Sequence, residues 1–329
     1  MVLAGANIAR KRFPEARFIF FGREAEIRPL LDRMTQLAAV SDVVHSEQVV
    51  GPEDKPSVAV RQGRESSMGL AIDAVKAGKA VGAVSAGNTG ALMGLALFML
   101  RTLPGIDRPA IASFMPTQRG ESVMLDLGAN VHCDATNLVD FAVMGNVFAR
   151  TVLGIQEPSV GLLNVGTEET KGHEALWEAA EILRQAGLPG RFHGFVEGDD
   201  LAKGTVDVVV TDGFTGNIAL KTAEGTAKLM GEFLRRSFKS SVLARLGYLL
   251  AQGALRKLRQ RTDPRRYNGA MFLGLNGIVV KSHGGTDALG FATAIGVVAD
   301  MARHGVLDKI TADFGNLSRQ GPEGQAAAL

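Results

Sequence analysis

The sequence contains very little of several residue types, and each shortage excludes a class of protein. A single cysteine, Cys133, is present among 329 residues, which excludes a disulfide framework or a cysteine-based zinc site within the chain. One tryptophan and two tyrosines are too few for a surface that stacks on nucleic-acid bases. The formal net charge of +2 gives no overall attraction to nucleic acid. No apolar run reaches the roughly 20 residues that span a bilayer.

The remaining composition is that of a globular protein with a sizeable core. Hydrophobic residues make up 46% of the chain and charged residues 21%, and the length suits one large domain or two ordinary ones. Short apolar runs of strand length alternate with segments of helical length. That alternation predicts an α/β fold in which helices cover a largely parallel sheet.

Residues 80–100 are the stretch around which the rest of the chain is interpreted. An apolar run that predicts a buried strand is followed by small and polar residues and then by an apolar run that predicts a helix. A helix N-terminus has unpaired N–H groups and partial positive charge, so this layout suits an anion such as phosphate. The candidate phosphate ligands are Ser85, Gly87, Asn88, Thr89 and Gly90. The alternative is an ordinary helix N-cap at Asn88 or Thr89.

Small or polar residues also follow several other predicted strands. The segments concerned are residues 85–90, 126–130, 164–171, 211–217, and 274–277 together with 281–287. Because ligands of parallel sheets bind at the carboxyl ends of the strands, we expect these segments to share one margin of the sheet and to form a single phosphate-binding cleft. The alternative is that each segment is a separate turn.

Residues 235–266 differ from the rest of the chain in charge. Leucine, valine and alanine recur there at helical spacing among many arginines and lysines, and Asp263 is the one acidic residue. A basic amphipathic helix suits a membrane surface or an acidic partner. An equally good interpretation is a helix that packs in a dimer and leaves its basic face in solvent.

Seven blocks of sequence carry a family resemblance. They are Asp54-Lys-Pro-Ser-Val-Ala, Val84-Ser-Ala-Gly-Asn-Thr-Gly-Ala-Leu-Met, Leu103-Pro-Gly-Ile-Asp-Arg-Pro-Ala, Leu125-Asp-Leu-Gly-Ala-Asn, Gly161-Leu-Leu-Asn-Val-Gly, Val208-Val-Val-Thr-Asp-Gly-Phe-Thr-Gly-Asn and Leu273-Gly-Leu-Asn-Gly-Ile-Val-Val-Lys-Ser-His-Gly. In this order they closely resemble the bacterial phosphate acyltransferase family PlsX, over nearly the whole chain.

The resemblance implies a fold and an activity. The implied fold is a three-layer α/β/α sandwich similar to phosphotransacetylases and to isocitrate and isopropylmalate dehydrogenases, as one domain over residues 1–329 with a protruding basic arm at 235–268. The implied reaction makes acyl phosphate from acyl-acyl-carrier-protein and inorganic phosphate, without a cofactor or metal, for phospholipid synthesis. The implied setting is a cytoplasmic homodimer, peripherally bound to membrane, that supplies a glycerol-3-phosphate acyltransferase.

The start of the chain departs from the family pattern. The family opens with a strand that ends in Asp-Ala-Met-Gly-Gly-Asp, whereas this sequence starts with Met1-Val-Leu-Ala-Gly-Ala, which resembles the interior of the helix that follows. We expect a chain without that strand to be impaired, because a missing strand leaves a sheet edge or a gap.

The resemblance also suggests roles for single residues. In the expected mechanism a phosphate oxygen attacks the thioester carbonyl, and a thiolate leaves. Lys171 would offset phosphate charge, Asn217 would donate to the oxyanion, and Asp212 would orient either of them. His283 would donate a proton near the leaving sulfur, with Lys281 or Lys221 as substitutes. Asn130 and Lys281 complete the candidate substrate ligands.

Partner recognition and competing functions complete the expectations. Acyl carrier protein is acidic, so the basic arm, Arg108 or Arg119 are candidate docking sites that high salt would weaken. The alternatives are a phosphotransacetylase that uses coenzyme A, a dehydrogenase on the same fold, and a membrane scaffold without enzymatic activity. The dehydrogenase would require a carboxylate cluster for a metal and an arginine triad, and the sequence shows neither.

Overall fold

The structure is a computed structural model that describes residues 1–320; the remainder of the predicted domain, 321–329, lies outside the described residues. The strands are β1 (Phe18–Gly22), β2 (Ser41–His45), β3 (Gly82–Ser85), β4 (Ala110–Pro116), β5 (Glu121–Leu125), β6 (Ser159–Leu163), β7 (Arg191–Val196), β8 (Val208–Val210), β9 (Ala270–Leu273) and β10 (Ile278–Lys281). The helices are α1 (Val2–Arg12), α2 (Glu24–Leu31), α3 (Thr35–Ala38), α4 (Pro56–Gln62), α5 (Ser67–Lys76), α6 (Thr89–Leu100), α7 (Ala135–Phe148), α8 (Glu174–Gln185), α9 (Asp200–Lys203), α10 (Gly213–Lys239), α11 (Val242–Arg261), α12 (Ala288–Arg303) and α13 (Val306–Gln320).

Helices cover both faces of a central eight-stranded sheet. The strand order is β3-β10-β9-β4-β5-β8-β6-β7. One face packs against α7, α8, α12 and α13 through residues such as Phe141 and Leu176, and the other packs against α5, α6 and the start of α10 through residues such as Ile72 and Leu92. Because helices cover both faces, every residue of β6 and β8 is buried, and the two strands are almost entirely apolar. The predicted three-layer α/β/α sandwich is confirmed.

The first strands form a separate small sheet. β1 and β2 pair in parallel, and α1, α2 and α3 pack around them over a small core that includes Phe20, Leu31 and Leu37. Helix α1 also lies along α12, where a Cβ on Gly5 would come within 2.9 Å of the Phe291 side chain. That close approach joins the small sheet to the main layers.

The central sheet is mixed, and this changes where the strand ends lie. β3 and β10 run parallel to each other, β9 runs antiparallel to β10 and β4, and β4 runs antiparallel to β5. β5, β8, β6 and β7 are mutually parallel. The carboxyl ends of β3 and β10 therefore lie at one margin of the sheet, and those of β5, β6, β8 and β9 lie at the opposite margin.

The expectation that all the strand-end segments share one margin is therefore wrong. We call margin A the edge that holds residues 126–130, 164–171, 211–217 and 274–277. We call margin B the edge that holds residues 85–90 and 281–287. The cause is the antiparallel pairing of β9 with its two neighbours and of β4 with β5, which reverses the chain direction between the two halves of the sheet.

Helices α10 and α11 form a long antiparallel hairpin, called the arm from here on, which begins at margin A. Helix α10 has 27 residues and α11 has 20, and they meet near the tip, where the Phe238 and Tyr248 rings pack edge to face at 5.5 Å. Every residue of α11 is at least partly exposed. The exposed large apolar residues of the arm are Phe214, Ile218, Leu229, Met230, Phe233, Leu234, Val242, Leu243, Leu246, Leu249, Leu250 and Leu258.

Among residues 1–320, no helix combines the length and the apolar character needed to cross a membrane.

Candidate active site

The turn at residues 126–130 on margin A is built around a buried carboxylate. Asp126 is 0% exposed. One of its oxygens, Oδ1, accepts the backbone N–H groups of Ile111 at 2.8 Å, Gly128 at 3.2 Å and Ala129 at 3.1 Å. The other, Oδ2, accepts the Asn130 backbone N–H at 2.7 Å and its Nδ2 at 3.0 Å. Burial raises the pKa of Asp126, and these hydrogen bonds oppose the rise.

The predicted substrate ligand Asn130 is part of this turn. Its Nδ2 also donates to the Pro109 carbonyl at 2.8 Å, and its backbone carbonyl accepts the N–H of Gly213 at 2.7 Å. Asn130 is 9% exposed. Its side-chain amide therefore joins the turn to the segment before β4.

Helix α10 starts against the same turn. Asp212 is its N-cap and accepts the Thr215 N–H at 2.9 Å. Asn217 lies in the first turns of the helix, and its Nδ2 donates to the Leu127 carbonyl at 3.0 Å. An asparagine amide has two N–H donors, so this bond orients the group and leaves its second hydrogen for another acceptor.

The loop that carries Lys171 lies beside the start of α10. The Lys171 carbonyl accepts Asn164 Nδ2 at 3.0 Å and Trp177 Nε1 at 2.6 Å, so its backbone is held while its side chain stays exposed. Two residues later, His173 shares a pocket of about 440 Å³ with Asp212. The other residues that line this pocket are Val131, His132, Cys133 and Phe214. Margin A therefore brings together Lys171, Asp212, Asn217 and Asn130.

Margin B holds the start of α6. Asn88 is the N-cap of this helix, because its Oδ1 accepts the Ala91 N–H at 3.1 Å. Its Nδ2 donates to the carbonyls of Pro52 at 3.0 Å and Asp54 at 2.9 Å. The N-cap interpretation is confirmed, and the side chain also fastens residues 51–54 to the helix. Thr89 and Gly87 are exposed, so this end of the helix is open to a ligand.

Ser85 and Lys281 lie side by side at margin B, as register partners on β3 and β10. The Ser85 hydroxyl accepts the Gly87 N–H at 3.2 Å, and Lys281 Nζ donates to the Ser282 carbonyl at 2.5 Å. Because side chains alternate along a strand, Lys281 lies on the same face of the sheet as Val279, the face that α6 and α10 cover.

Helix α10 connects the two margins. Burial lowers the pKa of Lys281, and the nearby charge of Lys221 lowers it further. Lys221 follows Asn217 by four residues in α10 and lies on the same side of the helix, about 5–6 Å away between Cβ atoms. Lys221 also pairs with Glu224 at 2.9 Å. Helix α10 therefore carries Asn217 at margin A and, one turn later, Lys221, whose charge acts on Lys281.

His283 lies at margin B and is separated by the sheet from Lys171 and Asp212. Its Nδ1 accepts the Gly285 N–H at 3.0 Å, and its backbone N–H donates to Asn268 Oδ1 at 2.8 Å. With Nδ1 serving as an acceptor, the proton of a neutral ring is on Nε2. His283 is exposed, and its role as a proton donor stays a prediction.

The candidate docking arginines are also apart. Arg119 lies in the turn between β4 and β5, and its Nη1 donates to the Gly204 carbonyl at 2.9 Å. Arg108 is exposed and pairs with Asp107 at 3.2 Å. The two lie at opposite margins, since they are placed before and after β4.

Two sets of residues bear on other chemistry. In the part of the chain that the structure describes, no group of three or more His, Cys, Asp and Glu side chains could hold a metal ion. Burial raises the pKa of the Cys133 thiol to about 12, so this thiol stays protonated at neutral pH and is a poor nucleophile.

Asp126, Gly213 and Gly216 are residues that sequence reasoning missed. Within the segment 126–130 the sequence predicts Asn130 as the ligand, whereas the structure centres the turn on Asp126. An aspartate directly after an apolar strand and before two small residues is a signal for a turn held by a carboxylate, and it could have drawn attention to Asp126.

Comparison with known proteins decides the family. The family model described as "Fatty acid synthesis protein" matches residues 1–309. A phosphate acyltransferase of Rhodospirillum centenum is 68% identical over 317 residues, which cover 96% of this chain and 89% of the relative. The chain belongs to the phosphate acyltransferase family. A second phosphate acyltransferase, from Rhodospirillum rubrum, is 61% identical over 94% of this chain and 89% of its own length.

Membership of the phosphate acyltransferase family confirms the predicted enzyme class, an acyltransferase. Solved structures agree on the fold. A phosphotransacetylase of Streptococcus pyogenes superposes with a TM-score of 0.60 at 18% identity, covering 91% of each chain. The EutD phosphotransacetylase of Staphylococcus aureus gives 0.53 at 18% identity, over 91% of this chain and 98% of its own. The predicted likeness to the phosphotransacetylase fold is confirmed.

Proposed function

We propose that this enzyme transfers the acyl group of acyl-acyl-carrier-protein to inorganic phosphate, which makes acyl phosphate for phospholipid synthesis. The observation that supports this best is that α10 carries the Asn217 amide and, one turn later, Lys221, whose charge acts on Lys281. An amide donor beside two cations suits a reaction between a dianion and a thioester. The activity named for the relatives, phosphate acyltransfer, agrees with that chemistry.

The proposed mechanism needs no nucleophile from the protein. A phosphate oxygen forms a bond to the thioester carbonyl carbon, the carbonyl oxygen takes the negative charge, and the carbon–sulfur bond then breaks to release thiolate. The second hydrogen of Asn217 Nδ2 donates to the oxyanion while the first is held by the Leu127 carbonyl. Lys171 adds positive charge from the adjoining loop. Lys221 or Lys281 is the proposed proton donor to the leaving sulfur, because the sheet separates His283, the candidate from the sequence, from Lys171 and Asp212.

Phosphate is proposed to bind where Lys281 and Lys221 approach each other. Burial and the nearby charge of Lys221 lower the pKa of Lys281, and an anion placed between the two lysines would offset the repulsion between their charges. The Ser85 hydroxyl and the open N-terminus of α6 at Thr89 and Gly90 add hydrogen-bond donors. Asn88 supports this region by capping α6 and fastening residues 51–54 to it, whereas Asn130 supports the turn at margin A.

The test is a thiol-release assay with palmitoyl-acyl carrier protein, with and without phosphate. Asn217→Ala is expected to lower kcat on the order of 100-fold, because an oxyanion donor contributes about 3 kcal/mol. Lys228→Ala, an exposed position on the same helix, is the matched control and should keep full activity. Thiol release that does not depend on phosphate would rule out the proposed reaction.

The same assay separates the alternatives. A phosphotransacetylase would release thiol from palmitoyl-coenzyme A faster than from palmitoyl-acyl carrier protein. A membrane scaffold would bind vesicles without releasing thiol from either. The product, a mixed anhydride, is reactive, so we propose that a glycerol-3-phosphate acyltransferase consumes it.

Acyl carrier protein is proposed to dock by charge, since it is acidic and this chain offers the basic arm, Arg108 and Arg119. Docking of this kind weakens as salt screens the charges. The Michaelis constant for the carrier protein is expected to rise with salt, and an unchanged constant would count against charge-based docking. Arg108→Glu should raise it more than Arg119→Glu does if the carrier protein docks at margin A, and the reverse should hold if it docks at margin B.

The arm is proposed as the contact with a second copy of the chain and with a membrane surface at the cytoplasmic side. Its leucines are exposed, with Leu250 90% exposed and Leu243 81%, beside many basic residues. Apolar and cationic groups on one helix suit anionic lipid. Light scattering and sedimentation with anionic vesicles test the two contacts separately, and Leu243→Gln should weaken whichever contact exists.

A further inference from the structure

Asp126 lies at the centre of the turn at margin A and accepts five hydrogen bonds there. It is 0% exposed, so it cannot touch a substrate. We propose that Asp126 is a positioning residue that sets the orientation of the Asn217 amide through the turn at residues 127–130. This inference rests on the proposed function, in which Asn217 is the oxyanion donor. Its structural part, the coupling of Asp126 to the Asn217 side chain, stands apart from catalysis and can be measured apart from it.

The first step of the argument is how the carboxylate organises the turn. Its two oxygens accept five N–H donors, of which three come from the consecutive backbone groups of Gly128, Ala129 and Asn130. Bonds from N–H groups to an ionised acceptor are stronger than bonds between neutral partners. The chain therefore wraps around the carboxylate, and the carboxylate decides the path of the turn.

The second step links the turn to Asn217. The Leu127 carbonyl, between Asp126 and Gly128, accepts Asn217 Nδ2 at 3.0 Å. Leu127 is 4% exposed and its N–H donates to the Ile111 carbonyl at 2.9 Å, so its carbonyl has little freedom to turn. A Cβ added to Gly128 would lie 3.0 Å from Asn217 Nδ2, which shows how closely the turn fits the amide.

The third step is that Asp126 also contacts the start of α10. A Cβ on Gly213 would lie 2.7 Å from Asp126 Oδ2, and a Cβ on Gly216 would lie 1.9 Å from the Asp126 backbone oxygen. The Gly213 N–H donates to the Asn130 carbonyl at 2.7 Å. The turn and the start of α10 thus both contact Asp126. A change in this carboxylate is therefore expected to move the Leu127 carbonyl relative to α10, the helix that carries Asn217.

A neutral amide is a poor substitute for this carboxylate. Asparagine at position 126 has one acceptor oxygen and one NH₂ group, so its NH₂ would face the two N–H donors of Asn130. Two of the five hydrogen bonds would be lost, and the turn would have to shift. An Asp126→Asn enzyme is expected to lose 10- to 100-fold in kcat with little change in the Michaelis constant for phosphate, because the oxyanion contact exists only in the transition state.

The matched control is Asp207→Asn. Asp207 is also a carboxylate that accepts protein donors, the N–H of Ser159 at 2.8 Å and its hydroxyl at 2.6 Å, but it lies at margin B. This variant should lose comparable stability and keep kcat within about twofold. A loss of kcat as large as that of Asp126→Asn would show that any carboxylate that accepts protein donors has this effect, and would overturn the proposal.

The experiment measures kcat and the side-chain amide resonance of Asn217 in protein labelled with ¹⁵N-asparagine. In Asp126→Asn the Asn217 resonance should shift, whereas Asp207→Asn should leave it in place. The double variant Asp126→Asn with Asn217→Ala should be no slower than Asn217→Ala alone. Additive losses, or an unmoved Asn217 resonance, would overturn the proposal.

Two further variants keep the proposal testable if Asp126→Asn does not fold or if Asn217 is not the oxyanion donor. Should Asp126→Asn not fold, Asn130→Ala removes one of the five donors and keeps the backbone N–H; it should shift the same resonance and lower kcat by a smaller factor. If the Asn217 resonance does not move in the Asn130→Ala protein, the proposal is contradicted. A fully active Asn217→Ala enzyme would defeat the oxyanion role, while a shifted Asn217 resonance would still support the structural coupling.

Discussion

The two halves of α10 belong to one helix but have opposite surroundings. At its start, Gly213 and Gly216 lie so close to Asp126 that an added Cβ would come within 2.7 Å and 1.9 Å of its atoms. In the second half, within the described residues, no heavy atom lies within 4 Å of a Cβ placed on Gly225 or Gly231. The helix is held by close backbone contact at margin A, and its far half presents apolar side chains to the surroundings.

The start of α10 is packed against the rest of the chain, whereas its far half leaves apolar side chains exposed for contacts with other molecules. Glycine at the start is required by space, whereas glycine in the arm is only a weak helix former. The following predictions test that difference, beginning with the largest effect.

Gly216→Ala is expected to lose about 3 kcal/mol or more of unfolding free energy, because the added methyl group overlaps the Asp126 carbonyl and the helix must move away. Urea unfolding measures the loss. Gly213→Ala, where the overlap is smaller, should lose less. A Gly216→Ala protein as stable as the parent would show that the start of α10 is not held as described.

A second buried carboxylate tests how much the donors around Asp126 matter. Asp140 in α7 is 8% exposed, and burial raises its pKa to about 7, with the charges of Asp107 and Asp134 adding to the rise and a backbone hydrogen bond at Asp107 opposing it. The folded state therefore keeps this proton at pH values at which the unfolded state has lost it.

The protonated Asp140 carboxyl stabilises the folded state at low pH, and this contribution to the unfolding free energy is lost as the pH rises through about 7. Unfolding free energy is expected to fall by about 2 kcal/mol between pH 5 and pH 8 from this group. Asp140→Asn should flatten the fall, as shown by urea unfolding at the two pH values. An unchanged slope in the variant would mean that the carboxyl is ionised throughout.

Gly231→Ala in the arm is expected to gain up to about 1 kcal/mol, because alanine favours the helix and the space is open. The same urea measurement applies, and Gly216→Ala is its natural counterpart. A loss of stability at Gly231 would indicate that this half of the helix is packed, and the comparison between the two halves would fail.

Leu250→Gln should change the unfolding free energy of the chain by less than about 0.5 kcal/mol, because this side chain is 90% exposed. The expected change is instead in self-association or in binding to vesicles, measured by light scattering and sedimentation. A large loss of stability at low protein concentration would contradict an uncovered arm.

Much of the local structure could be predicted from the sequence. The strand, turn and helix at residues 80–100 appear as β3, the N-cap Asn88 and α6, and the alternation of strands and helices gave the α/β fold. These features depend on hydrophobic periodicity and capping, which act between residues close in sequence.

The site was predicted only in part. Lys171, Asp212, Asn217 and Asn130 do gather at margin A, but Ser85 and Lys281 lie at margin B and reach Asn217 only by way of α10. Asp126 was missed because its importance depends on what packs around its turn, the Ile111 N–H and the close approach of Gly213 and Gly216 from α10, and a short motif shows neither.

The sequence by itself determined which segments become strands and helices and which residues follow the strands, because those choices rest on local spacing and on the chemistry of single residues. Only the tertiary structure decided the direction of each strand, since antiparallel pairing of β9 and β4 leaves the same pattern of apolar residues as parallel pairing does. Direction depends on hydrogen bonds between segments far apart in the chain, and it is direction that places Asn217 and Lys281 on opposite margins with α10 between them.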